Sequence, residues 1–140
     1  MIDQLSRSAL DLLASDAVAT IATVNPDGSP HLSVAWVAVE DGEIAFGTLN
    51  DQRKLQNLRR DARIGVSVQS QRINDWGLRE YLAIDGTARI TNGGAPELLQ
   101  RLARIYIGPD VVFPAMTKPP PGFVVRIRIN RVAGVGDWTT

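Results

Sequence analysis

Two cations, Arg53 and Lys54, open the segment Thr48-Leu49-Asn50-Asp51-Gln52-Arg53-Lys54-Leu55-Gln56-Asn57-Leu58-Arg59-Arg60-Asp61, and their position implies chemistry. The pattern predicts a helix over 51–61. Both cations then sit in its first turn, where the macrodipole is positive and each is disfavoured by about 0.3–1 kcal/mol. A bound anion removes that conflict, because open backbone N–H groups and two basic side chains together make a phosphate site. Asn57 lies beside both on the helix surface, close enough to add a hydrogen bond. The same residues also fit a solvated amphipathic helix that rests on Leu55 and Leu58 with its basic side chains in water. Spacing alone leaves both readings open.

The second feature is the long run from Pro30 to Glu40. As a strand it puts Leu32, Val34 and Trp36 on one face and His31, Ser33, Ala35, Val37 and Val39 on the other, so neither face is plainly hydrophilic. Such a strand needs a cover on both sides. A second subunit, a planar ligand lying on Ser33 and Ala35, or the domain's own helices would each provide one. His31 reads as a strand-end histidine with no proton-transfer role. Trp76, Tyr81 and Trp138 fit either the rim of a pocket or ordinary barrel packing.

Composition excludes several classes. The chain has no cysteine, which rules out disulfides, thiolate catalysis, cysteine-ligated zinc and iron–sulfur clusters. Its one histidine cannot build a metal site alone, so no metal is expected. Fifteen basic residues balance fifteen acidic ones, leaving no global field to attract nucleic acid or an anionic membrane. No Gly-x-Gly-x-x-Gly follows a strand, and neither a phosphate-binding Walker loop nor a nucleophile elbow is present. The N-terminal residues lack the pattern of a signal peptide and no apolar run reaches membrane-spanning length, so a cytoplasmic protein is expected.

The elements that must position these residues follow from periodicity. With 140 residues, 44% of them hydrophobic, a single domain over 1–140 with one core is expected. Leu5, Ala9, Leu12 and Leu13 predict a short helix capped by Asp3 and ending near Ser15. Strands are predicted over 18–24, 30–40 and 43–48, joined by turns at Asn25-Pro26-Asp27-Gly28 and Asp41-Gly42. After the helix over 51–61 comes a strand from Ile64 to Gln69, then a polar loop over 70–79. The next strand, 81–91, carries Gly86 as a bulge or barrel corner. Pro96 opens a helix to Tyr106, residues 108–122 form an aperiodic loop, and a last strand runs from Phe123 towards Val135. Six mainly antiparallel strands with three short helices predict an α+β protein built on a small closed or nearly closed barrel.

In this order the residues resemble the pyridoxamine 5′-phosphate oxidase-like split β-barrels that bind flavins or deazaflavins, and within them the branch that uses coenzyme F-420. The pieces are Ala19-Thr20-Ile21-Ala22-Thr23, Asp27-Gly28-Ser29-Pro30-His31, Phe46-Gly47-Thr48, Arg53-Lys54, Asn57-Leu58-Arg59-Arg60-Asp61 and Tyr81-Leu82-Ala83-Ile84-Asp85-Gly86. The resemblance implies that Arg53 and Lys54 hold the cofactor phosphate with Thr48, Gln52 and Asn57 nearby. It also implies that Ser33, Val34 and Ala35 pass along the tricyclic ring. It further implies a homodimer with two cofactor sites at the interface, and hydride transfer between the deazaflavin and a conjugated small-molecule acceptor. Water, or a hydroxyl such as that of Ser33 or Tyr81, would protonate the product. Flavin mononucleotide in the same fold is the nearest alternative. A non-catalytic carrier or sensor of flavin, deazaflavin or haem is another, and a dimeric barrel without cofactor a third. The chain departs from the oxidase proper at its C-terminal end, where Gly134-Val135-Gly136-Asp137-Trp138 offers no basic residues to grip pyridoxal phosphate. The catalytic residues and the acceptor are not written in any motif, and acceptor choice is expected in the loops 70–79 and 108–122.

Overall fold

The computed structural model describes residues 5–139. Its first helix, α1 (Arg7–Leu13), is capped by Ser6, whose hydroxyl accepts from the Ala9 N–H at 3.2 Å. The expected cap, Asp3, lies outside the described residues. Strands β1 (Ala19–Val24) and β2 (Pro30–Ala35) form a hairpin across the Asn25–Ser29 turn, where Gly28 takes a φ of 88° and the Asp27 carboxylate accepts from the Ser29 N–H and hydroxyl. Strands β3 (Ala38–Glu40) and β4 (Glu43–Thr48) pair through Asp41-Gly42, both with positive φ, as a tight right-twisted hairpin turn requires. Helix α2 (Arg53–Arg60) follows. Then come β5 (Arg63–Ile73), β6 (Arg79–Asn92), α3 (Ala95–Tyr106) and β7 (Phe123–Val135).

The seven strands form one antiparallel sheet in the order β2-β1-β5-β6-β7-β4-β3. Its two edge strands, β2 and β3, are separated in the chain by Trp36 and Val37 alone. Three peptide steps reach at most about 11 Å, so the sheet must curl until its edges lie side by side, giving a barrel split between β2 and β3. The expected strand 30–40 is therefore two strands, and the count is seven rather than six. The break has a local cause: the Val37 N–H donates to the Tyr106 hydroxyl at 3.3 Å and not to a neighbouring strand. The expected loop over 70–79 is also corrected. Strands β5 and β6 continue to Ile73 and from Arg79, and the turn between them is closed by the Asn74 side chain, which accepts from the N–H groups of Trp76 and Leu78.

Inside the barrel, Ile21, Ile44, Phe46, Val68, Leu82, Ile84, Ile127 and Ile129 are buried together with Leu13 from α1 and Leu55 from α2. A smaller cluster of Ala45, Leu98, Leu102 and Val124 seats α3 on the outside of β4 and β7. The register between β6 and β7 shifts between Asp85 and Gly86, as expected of the bulge. A Cβ at Gly86 would lie 2.4 Å from Ile127 Cγ2 and 2.8 Å from the Arg128 carbonyl oxygen. Gly86→Ala is therefore expected to destabilise the barrel by about 1–3 kcal/mol, read as a drop in Tm of several degrees by thermal unfolding; an unchanged Tm would contradict this packing.

Candidate functional site

The polypeptide leaves β4 at Thr48, a buried residue whose hydroxyl donates to the Asn50 carbonyl at 2.9 Å and so fixes the short connection into α2. Gln52 occupies the N-cap with extended backbone and gives no side-chain hydrogen bond to the helix. The Leu55 and Gln56 N–H groups bond back to the Gln52 carbonyl, whereas those of Arg53 and Lys54 have no partner among the described residues. Two donors at the positive end of the helix therefore remain open.

Leu55 and Leu58 seat α2 on the barrel, and this face also carries Lys54 and Asn57 inward. Lys54 retains only 6% of its exposure, and its Nζ donates to Ser33 Oγ at 3.2 Å and stands 5.2 Å from the centroid of the Phe46 ring. No carboxylate pairs with it among the described residues. Burial pushes its pKa below the ordinary lysine value of 10.5. Arg53 is exposed and makes no side-chain hydrogen bond or ion pair among the described residues. The solvated-helix reading thus describes Arg53 but not Lys54.

A cavity of about 420 Å³ opens beside Lys54. It is lined by the polar residues Thr48, Asn50, Gln52 and Lys54, by Val34, Ala35 and Gly47, and by the apolar side chains of Val18, Trp36, Leu99 and Phe113. Five residues singled out from the sequence, Val34, Ala35, Thr48, Gln52 and Lys54, meet there, and Ser33 touches the site through the Lys54 ammonium. Arg53 does not line the cavity. Asn57 does not either: its amide donates to Thr23 Oγ1 at 3.0 Å and to Asn25 Oδ1 at 3.1 Å, so it clamps α2 to the end of β1 rather than reaching a ligand. Tyr81, weighed as a proton source, is likewise absent from the lining.

Trp36, Leu99 and Phe113 complete the site from outside the expected set. Trp36 was visible as a partner of Val34 on one strand face, whereas Phe113 sits in the aperiodic loop where no sequence pattern marks it. A second cavity, of about 470 Å³, is lined by Ala22, Gly65, Asp85, Gly86 and Asn130 among others. Its one cation, Arg63, is already held by Asp61 through contacts of 3.0 and 2.7 Å. The smaller of the two is the better anion site, because its cation has no anionic partner among the described residues. Open helix N–H groups, a buried ammonium and two aromatic side chains in one lining together fit a ligand that carries both a phosphate and a flat ring.

The profile of the pyridoxamine 5′-phosphate oxidase family matches residues 5–136, and the chain belongs to that family. Among solved structures it is similar to one described as an F420 reductase, with 23% identity and a TM-score of 0.70 over 88% of this chain and 94% of that one. A conserved hypothetical protein of Mycobacterium tuberculosis is 31% identical with a TM-score of 0.69, covering 93% of this chain and 84% of that one. A haem-binding protein of Mycobacterium smegmatis shares the fold at 21% identity and a TM-score of 0.63, over 89% of this chain and 51% of that one. No curated protein matches the chain.

The lowered pKa of Lys54 has a definite consequence for stability. In the fold its ammonium is disfavoured relative to the unfolded chain, so its charge destabilises the ligand-free protein at neutral pH. That penalty fades as pH rises from the lowered value towards 10.5. Lys54→Met removes the penalty. Urea unfolding without ligand is expected to show the variant at least as stable as wild type at pH 7, with the difference shifting in favour of wild type by pH 10. A parallel pH dependence for the two proteins would contradict the burial of a charged Lys54.

Proposed function

We propose that this protein is an oxidoreductase that holds coenzyme F-420 in the cavity beside Lys54 and passes hydride between it and a conjugated small-molecule acceptor. The observation that carries the proposal is the buried Lys54 ammonium, which has a hydroxyl and a ring for neighbours but no anion among the described residues. A phosphate at the start of α2 would meet that charge together with the N–H groups of Arg53 and Lys54, and charge-assisted bonds of this kind are among the stronger ones in proteins. Family membership supports a flavin-type cofactor. The run from Lys54 to Asp61 favours the deazaflavin over flavin mononucleotide, which stays as the alternative. The exposed Arg53, in the first turn of the same helix, adds surface charge for the acidic tail of the deazaflavin.

When bound, such a cofactor supplies the hydride chemistry. The residues of this chain bind and orient it. Lys54 and the open N–H groups would hold the phosphate, Thr48 fixes the loop that carries Gln52, and Val34, Ala35 and Trp36 would lie along the ring. Water, or the Ser33 hydroxyl, whose oxygen accepts from Lys54 while its own proton stays free, would protonate the reduced acceptor, whereas Tyr81 lies outside the cavity lining.

The working unit in this proposal is a homodimer. Leu32 and Val34, on the outer face of edge strand β2, are 66% and 64% exposed, and Val18 beside them is 48% exposed. An apolar edge of this kind calls for a cover, and a second copy placed there would also close the cavity over Val34. The haem-carrier alternative has less support, because His31 is absent from the cavity lining.

Fluorescence titration of the purified protein with coenzyme F-420 and with flavin mononucleotide tests the proposal. F-420 is expected to bind more tightly, and Lys54→Ala is expected to weaken its binding by roughly ten- to a hundredfold, with a smaller loss for the exposed Arg53→Ala. A clear preference for flavin mononucleotide would move the protein to the other branch, and normal binding by Lys54→Ala would remove the phosphate assignment.

A further inference from the structure

One amide side chain, that of Gln100, ties down the loop that supplies Phe113 to the cavity lining. Residues 108–122 connect α3 to β7 without regular structure. Between Pro109 and Pro120, the hydrogen bonds that tie this backbone to the rest of the fold, among the described residues, both go to Gln100. Gln100 Nε2 donates to the Val111 carbonyl at 2.9 Å, and its Oε1 accepts from the Phe113 N–H at 2.9 Å. The side chain thus serves the loop as a strand partner would, satisfying an acceptor and a donor two residues apart.

What the clip holds in place is Phe113. Its ring lies 5.2 Å from that of Trp36 at 58°, and Trp36 in turn stacks on Tyr106 at 5.3 Å and 13°. Tyr106 is locked at its far end, its hydroxyl donating to the Ala17 carbonyl at 3.1 Å while accepting from Val37. Two of the three rings, Trp36 and Phe113, line the cavity that Lys54 also lines. Tyr106 is fixed within α3 and by both bonds of its hydroxyl, and Trp36 is stacked on it, whereas the backbone of Phe113 is tied to the rest of the fold through the Gln100 side chain.

We infer that Gln100 is a positioning residue: by tying the 108–122 loop to α3 it sets Phe113 in the wall of the cavity and so makes that wall selective for an uncharged, flat, conjugated ring. The inference deepens the proposed cofactor site and rests on the reading of this cavity as a ligand site. It assigns ring selectivity to Gln100 and Phe113, separately from the phosphate grip of Lys54.

Lumichrome, a flavin-like ring without tail or phosphate, probes the ring contacts alone, and inorganic phosphate probes Lys54. In equilibrium titrations, Gln100→Met and Phe113→Ala are each expected to weaken lumichrome binding roughly tenfold, the loss of about 1.4 kcal/mol of preorganised contact, and to leave phosphate binding unchanged. Hydrogen exchange adds a readout that simple packing would not move: the amide of residue 113 should exchange faster in Gln100→Met and stay protected in Phe113→Ala. Unaltered lumichrome affinity in Gln100→Met, a parallel loss of phosphate binding, or no lumichrome binding by the wild type would each overturn the inference. If lumichrome binding depends on Gln100 while neither coenzyme F-420 nor flavin mononucleotide binds, the inference stands and the cofactor assignment falls.

Discussion

The burial of the Lys54 ammonium is the constraint on which the site depends. A long cationic side chain is almost never buried without a partner, and the desolvation of an unpaired ammonium costs on the order of several kcal/mol. Ser33 Oγ and the Phe46 ring recover part of that, the ring about 1–2 kcal/mol by its quadrupole. The remainder is a standing bias towards any anion that can reach Nζ, and the helix end adds to it instead of offsetting it. Arg59 and Arg60 show the contrast: they lie in the last turn of the same helix, where the dipole favours them, and Arg59 pairs with Asp51 at 2.8 Å.

The barrel exists in a form that makes this burial possible. Because β2 and β3 are joined by two residues yet stand at opposite edges of the sheet, curling brings Ser33, on β2, against the helix that follows β4. The Lys54 ammonium is thus trapped between an edge strand and α2, and the same split leaves the cavity open along Val34 and Ala35. Asn57 contributes by fixing the helix to β1 through Thr23 and Asn25, which sets the depth at which Lys54 sits. A residue that looked like a ligand contact is instead part of the frame that holds one.

Much of this was legible in the sequence, for reasons that differ by residue. Alternation located β5, β6 and β7, β-branched residues and turn signals located β1 and β4, and Gly86 stood out because a strand-centre glycine marks a place where a side chain cannot fit. The conflict between Arg53, Lys54 and the helix dipole was visible as a local contradiction. Which of the two cations turns inward was not, since that depends on how Leu55 and Leu58 rotate α2 onto the barrel. The break at Trp36–Val37 was hidden because strand-like residues continue through it, and it is caused by a distant hydroxyl, that of Tyr106. Phe113 could not be found at all: it is placed by Gln100, a contact between a helix and an aperiodic loop that leaves no period in the chain.

The central claim is that Lys54 carries a buried charge awaiting an anion, and the titration of its own ammonium tests it most directly. Nuclear magnetic resonance of a sample labelled with nitrogen-15 at lysine, with Lys118→Arg to leave one lysine signal in the described residues, reports the Nζ pKa without and with saturating phosphorylated cofactor. The account predicts a value below 10.5 in the free protein that rises when the phosphate binds. An ordinary lysine pKa that the cofactor leaves unmoved would contradict it.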